Sequence, residues 1–204
     1  MDRYAHLSEL LEPPALTVLG HTSDGPQTLA LIGPDEPAFW DRFTDSPEYR
    51  DGEADPMDRW SRRVLTDIAT QVEGEAVFPF GGPPVEPFQS WALASGQFWT
   101  SPIGFLVHQT RGLFVSFRGA IRLPVAQPTP VGASPCPDCP APCAVACPVD
   151  AFRHGYDVAA CKAHIATPAG RDCLTRGCRA RRACPVGQGL RLSDHARFHM
   201  EAFA

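Results

Sequence analysis

The residues of this chain best suited to do chemistry are its cysteines. All eight lie between positions 136 and 184, and none occurs in the first 135 residues. The first four are compact: Cys136-Pro-Asp-Cys139-Pro-Ala-Pro-Cys143-Ala-Val-Ala-Cys147-Pro148. The bacterial [4Fe–4S] run is C-x2-C-x2-C-x3-C-P, and its fourth cysteine serves the other cluster. Here the middle interval is one residue longer. Three thiolates on one tight loop reach three corners of a cubane. The fourth sits on the turn that follows and points away, before proline stops the chain continuing as helix. The second four are looser: Cys161, then Cys173, Cys178 and Cys184-Pro185. Two four-ligand clusters need eight cysteines. Exchanging the two Cys-Pro endings assigns Cys136, Cys139, Cys143 and Cys184 to one cluster, and Cys161, Cys173, Cys178 and Cys147 to the other. One cluster with spare thiols, or zinc, is an alternative, because four-cysteine zinc sites also use C-x2-C pairs. Disulfides are a third reading, and they need an oxidising compartment.

Charge is divided like the cysteines. Residues 1–90 carry 17 acids and 6 arginines, and residues 91–204 carry 6 acids and 12 bases. A basic half invites nucleic acid as a partner. It can equally neutralise something anionic inside the protein, and the cysteines favour that reading, so nucleic acid is not expected. Arg171, Arg176, Arg179, Arg181 and Arg182 crowd the second cysteine group. They can offset cluster charge and raise its potential, or form a solvated docking face for an acidic partner.

The elements that must position these groups read coarsely. The chain has 204 residues, 44% of them hydrophobic, enough for a packed core. Proline, at 22 residues, forecasts many loops. Strands are expected at Thr17–Leu19 and Thr28–Ile32 around a polar turn, and a short helix opens at Pro37. The best helix runs from Pro56 to about Val72. Asp55 is placed to cap it, and Met57, Trp60, Val64, Ile68 and Val72 form its apolar stripe. Phe88–Ala94 reads as a further helix. Ile103–Val107 and Leu113–Phe117 read as strands joined by 108–112, and Ile121–Leu123 continues strand character. The prolines of 124–135 read as a stiff linker. No run approaches the roughly 18–20 apolar residues of a membrane helix. The first residues lack a basic segment leading into an apolar one, so a cytoplasmic protein is expected.

From Pro56 to about Gly187 the sequence resembles the epoxyqueuosine reductase family. That family couples a corrinoid-binding nitroreductase-like domain to a two-cluster ferredoxin module. The resemblance is carried by Trp91-Ala-Leu-Ala-Ser-Gly96, Pro102-Ile-Gly-Phe-Leu-Val107, Ala151-Phe152, Tyr156-Asp-Val-Ala-Ala-Cys161, Gly177-Cys178 and Cys184-Pro185. The family places a cysteine between those last two motifs. Here the interval is Arg179-Ala-Arg-Arg-Ala183, and Cys173 would have to substitute. Residues 104–121 also resemble the central strands of the cobalamin-trafficking decyanase family, which is nitroreductase-like and binds base-off cobalamin. Both resemblances imply an α+β protein. Residues 1–124 would form a truncated nitroreductase-like α/β sandwich, 125–135 a linker, and 136–204 a small two-cluster module with a C-terminal tail. The reductases place a catalytic Asp before an Ala-Pro pair in the loop preceding Trp91. This chain has Phe80-Gly-Gly-Pro-Pro-Val85 there and no acid until Glu86. A general acid needs a titratable group within reach of substrate, so epoxyqueuosine reduction is not expected.

A guest is still expected in the first domain, a corrinoid before a flavin. Gly81 and Gly82 allow close backbone approach, and Phe78, Phe80 and Trp91 offer flat apolar surface for a large ring. A plain surface turn is the competing reading of that loop. His108, at a strand end, is a candidate lower ligand or ligand contact, against the plainer reading of a satisfied strand-end histidine. His195 and His199, four apart, share a helix face if that segment is helical. The expectation is an iron–sulfur redox protein that passes electrons between a redox partner and a corrinoid, flavin or small-molecule substrate. A non-enzymatic ferredoxin-type carrier and a cluster- or zinc-stabilised binding protein are the alternatives.

Overall fold

The computed structural model describes residues 2–190 and 193–204. In chain order its elements are α1 (Arg3–Leu11), β1 (Leu16–Asp24), β2 (Gln27–Pro34), α2 (Ala38–Thr44), α3 (Pro47–Arg50), α4 (Pro56–Gln71), β3 (Glu75–Val77), α5 (Phe88–Ala94), β4 (Phe98–Thr100), β5 (Leu106–His108) and β6 (Gly119–Leu123). Then come α6 (Val158–Ile165), α7 (Arg171–Arg176), α8 (Arg179–Arg182) and α9 (Ser193–Phe203). The fold is mixed α+β, and none of its described helices is long and apolar enough to cross a membrane.

The chain divides into two compact units. One comprises residues up to Phe98 together with Ser116–Gly132, and the other Trp99–Val115 together with Ala133–Ala204. The expected boundaries at 124 and 135 differ from this in two places. The segment 99–115 belongs with the cysteines, and most of the expected linker belongs with the first unit.

The first unit is built on an antiparallel sheet in the order β1-β2-β6-β3. Leu29, Ala30, Leu31 and Ile32 of β2 are all fully buried. A strand covered on both faces reads as an unbroken apolar run rather than an alternation. Leu7, Leu65 and Phe98, each from a different element, are also fully buried. Phe39, Phe43 and Trp60 join α2 to α4 in one aromatic cluster, with centroids 5.5–6.1 Å apart.

Helix α4 begins at Pro56 as expected, but Asp55 does not cap it through its side chain. Asp55 is left-handed, with φ 51°, and its carboxylate makes no cap bond. Proline at the first position has no N–H to satisfy. The buried stripe is Met57, Trp60, Ser61, Leu65, Ile68 and Ala69, and Val64 is only half-buried. Arg59 and Arg63 are not simply solvated. Arg59 grips Asp51 with both terminal nitrogens at 2.8 Å, and Arg63 pairs with Glu48 at 2.5 Å.

The proline-rich stretch after β6 is laced down rather than free. Thr28 Oγ1 donates to Val125 O at 2.7 Å and accepts from Gln127 N at 2.9 Å. His21 Nε2 meets Pro128 O at 2.9 Å, and Gly132 N donates to Gly96 O at 3.0 Å. Leu113–Phe117, expected as a strand, is irregular. The turn before it is closed instead by the His108–Gly112 bridge, and the chain passes from one unit to the other after Val115.

Candidate metal centres in the cysteine unit

The second unit has little regular structure, and its core is partly made of sulfur. Ile103, Val107 and Leu113 of the hairpin pack with Cys143, Ala180 and Cys184, and Trp99, Phe105, Cys136, Phe152, Cys178 and Val186 surround them. In the short helix Arg-Ala-Arg-Arg of α8, Ala180 turns inward and is fully buried.

The eight thiols sort into two groups of four. Cys136, Cys139, Cys143 and Cys184 line one cavity, together with Ser101, Val107 and Leu113. Cys147, Cys161, Cys173 and Cys178 line a second, with Phe152, Ile165 and Met200. The partition is the crossed one, in which the last thiol of each run lies with the other run. About 330 Å3 of the first cavity and about 320 Å3 of the second are clear of protein atoms, part of each open to solvent.

Local structure places each sulfur. Cys143 sits in a 3-10 turn, Pro142–Ala144, entered through left-handed Ala141. The Cys147 sulfur accepts from Ala151 N at 3.4 Å. Cys161 lies in α6, whose first turn is capped by the Asp157 carboxylate on Ala160 N at 2.9 Å. Cys173 lies in α7, Cys178 is the residue before α8, and Cys184 follows it. Thus Cys173, not a residue of the arginine-rich interval, supplies the fourth thiol of the second group.

Burial pushes the thiols of Cys136, Cys143, Cys161 and Cys173 up. Neighbouring cysteines of the same group push in the same direction: Cys139 and Cys184 on Cys136, and Cys178 and Cys147 on Cys161. A cation-rich core in each cavity would replace those protons and remove the repulsion.

The donor sets fit [4Fe–4S] clusters, for which each of four thiolates binds its own iron and the sulfurs surround a cavity. A four-cysteine zinc site uses the same donors. Among the described residues no group of three or more His, Cys, Asp and Glu side chains is gathered closely enough to hold a metal ion. A second observation supports an occupant of the first cavity. Ser101 is 6% exposed, lines that cavity, and its buried Oγ has no hydrogen-bond partner. Such a hydroxyl costs about 1–3 kcal/mol unless something accepts from it, and a cluster sulfur can accept.

The hairpin that carries Ser101 was not singled out from the sequence as part of the cysteine unit. Two glycines mark the contact. Gly112 has φ 58°, and a Cβ there would lie 2.1 Å from Val186 O and 2.9 Å from Cys184 Sγ. Gly187 has φ 71°, and a Cβ there would lie 2.4 Å from Arg111 O.

The arginines of the second group are divided. Arg176 and Arg179 lie 3.4 Å and 3.7 Å from Asp172, and Arg182 also pairs with it. Arg181 instead lies over the Phe105 ring at 4.9 Å and feels the charges of Cys178 and Tyr156.

The candidate guest-binding residues fall in both units. Gly81 and Gly82 are exposed in the first unit with φ 105° and 95°. Arg62 lies over Phe78 and Phe80, at 4.8 Å and 5.4 Å. Trp91 is half-buried under Arg122, which also faces Asp24, Glu75 and Glu86. His108 belongs to the second unit, is 5% exposed, and its Nδ1 accepts from Thr110 N and Arg111 N at 3.2 Å. That nitrogen serves its own turn. His195 is buried in α9, and its Nε2 lies 3.0 Å from that of His199.

No protein-family model matches the chain, and neither a curated protein nor a solved structure does.

Proposed function

We propose that this chain is an iron–sulfur redox protein that holds two [4Fe–4S] clusters, one in each thiol-lined cavity. The observation that carries the reading is the sorting of eight thiols into two sets of four, each around its own cavity. When bound, such a cluster exchanges one electron with a partner. The chain's own residues hold the four sulfurs apart, surround them with Val107, Leu113, Phe152 and Ile165, and offer Ser101 as a hydrogen-bond donor.

The resemblance to epoxyqueuosine reductases supports a redox role and not that family's reaction. The first acid after the Gly81-Gly82 loop is Glu86, 3.8 Å from Arg122, so the loop offers no general acid of its own. Electrons would pass between a redox partner protein and a corrinoid or flavin held by the first unit, for which a nitroreductase-like ancestry is the further proposal. The exposed glycines and the Phe78–Phe80 pair, 5.3 Å apart, support such a guest. The plainer carrier, with no guest, is favoured by the commitment of His108 Nδ1 to its own turn.

Stepwise anaerobic reduction tests the role. Two one-electron equivalents per chain are expected, with loss of visible absorbance in each step. A chain that takes up no electrons is not a redox protein. Cob(II)alamin or a flavin that binds the folded chain alone raises its melting temperature. A melting curve unmoved by either at saturation leaves the carrier.

A further inference from the structure

We infer that Arg118 and the open start of α4 form a phosphate-binding site in the first unit. The inference uses residues of that unit alone and does not depend on what the thiols hold.

Arg118 precedes β6 and is 8% exposed. Its backbone N–H donates to Ile32 O at 2.8 Å, which ties it to the buried strand β2. Its guanidinium is poorly matched. Nη2 donates to Ser116 Oγ at 3.1 Å, and Nη1 lies 3.8 Å from Asp58 Oδ1, too far for a hydrogen bond. The Nε–H is buried and meets no acceptor. Burial pushes the group down to about 10, so it remains charged at neutral pH. A buried cation with so few partners is costly until an acceptor reaches it.

Asp58 belongs to the first turn of α4, so Arg118 reaches that end of the helix. The end is open. Asp55 supplies no side-chain cap, and the first backbone bond there runs from Arg59 N to Asp55 O. Among the described residues the N–H groups of Met57 and Asp58 have no acceptor. With 16 residues, α4 carries a partial positive charge at its start. Arg62, one turn beyond Asp58, lies over Phe78 and Phe80, and among the described residues it pairs with no acid.

Two kinds of donor therefore stand at one helix end, a planar fork and backbone N–H groups. A phosphate group has oxygens enough for both, two on the guanidinium and another on the N–H groups. A carboxylate, with two oxygens in one plane, serves the fork alone. Asp58 is the built-in competitor. It is half-buried, and burial pushes its carboxyl up, which weakens it as a counter-ion. The phosphate can come from the free ion or from a phosphomonoester.

Calorimetric titration of the full-length chain with inorganic phosphate, at constant ionic strength in chloride, tests the site. One phosphate per chain is expected, with acetate bound about tenfold more weakly or worse. Arg118→Gln should weaken phosphate binding about tenfold or more, the worth of a hydrogen bond to a charged group. Asp58→Asn keeps the side-chain shape and removes the competing charge, so it should bind phosphate more tightly than the wild type. That variant decides the matter if Arg118→Gln does not fold. Glycerol phosphate separates the sources. Tighter binding than the free ion supports the site with a phosphomonoester as its ligand, and weaker binding supports it with free phosphate. No phosphate bound by either the wild type or Asp58→Asn overturns the inference. Unchanged binding in folded Arg118→Gln, or acetate bound as tightly as phosphate, also overturns it.

Discussion

Ser101 separates a cavity with an occupant from a merely packed set of thiols. Its hydroxyl is buried beside four sulfurs with nothing to receive it. Ser101→Ala removes an unsatisfied donor, so the metal-free chain should gain about 1 kcal/mol or more. The loaded chain should gain less or lose stability, because there the donor has an acceptor. Melting curves of both forms decide it. An Ala variant that weakens the metal-free chain would mean that the hydroxyl already has a partner. At this scale the sequence was legible where residue type alone carries meaning. Cysteine spacing named all eight candidate ligands, including Cys173. It did not name Ser101. A serine in Thr-Ser-Pro has no periodic signature, and its place beside the thiols comes from contacts across the fold.

Among the elements, the hairpin around β5 is the decisive one. It supplies Ile103, Val107 and Leu113 to the core of the cysteine unit, and Gly112 lets its turn approach Cys184. Gly112→Ala places a Cβ 2.1 Å from Val186 O at a φ of 58°. That clash and the positive φ push the turn off Cys184. The variant should lose the iron of the first group, about four of about eight atoms, and keep the second. Full iron in it would mean the hairpin is not needed to seat Cys184. Helix α4 was legible because its 3.6-residue apolar period is long and starts at a proline. Its cap was not, because the left-handed turn at Asp55 aims the carboxylate elsewhere. The 113–117 strand was misread for a related reason. An apolar run can be buried by packing without a partner strand, and Leu113 is buried in that way.

Over the whole molecule, chain order and spatial order differ twice. The 99–115 segment joins the unit of the cysteines, and Cys147 and Cys184 each join the group of the other run. The crossing makes a sharp expectation. Cys184→Ala should remove the iron held with Cys136, Cys139 and Cys143, although Cys184 is the last cysteine of the second run. Cys173→Ser should remove the iron of the other group. Resonance spectra of the two variants should therefore each retain one signal, and not the same one. If both lose the same signal, the grouping is wrong. The α+β class was legible from the alternation of periodic segments. The unit boundary was not, because prolines mark stiffness, and here that stiff chain is tied to Thr28 and His21 rather than left as a linker.

The central claim is that the two cavities hold clusters. The most direct measurement is iron and acid-labile sulfide per chain in anaerobically purified protein, read with its visible spectrum. The account predicts about eight of each, the content of two cubanes, with a broad brown absorbance. A colourless chain with no sulfide and one or two zinc ions would contradict it.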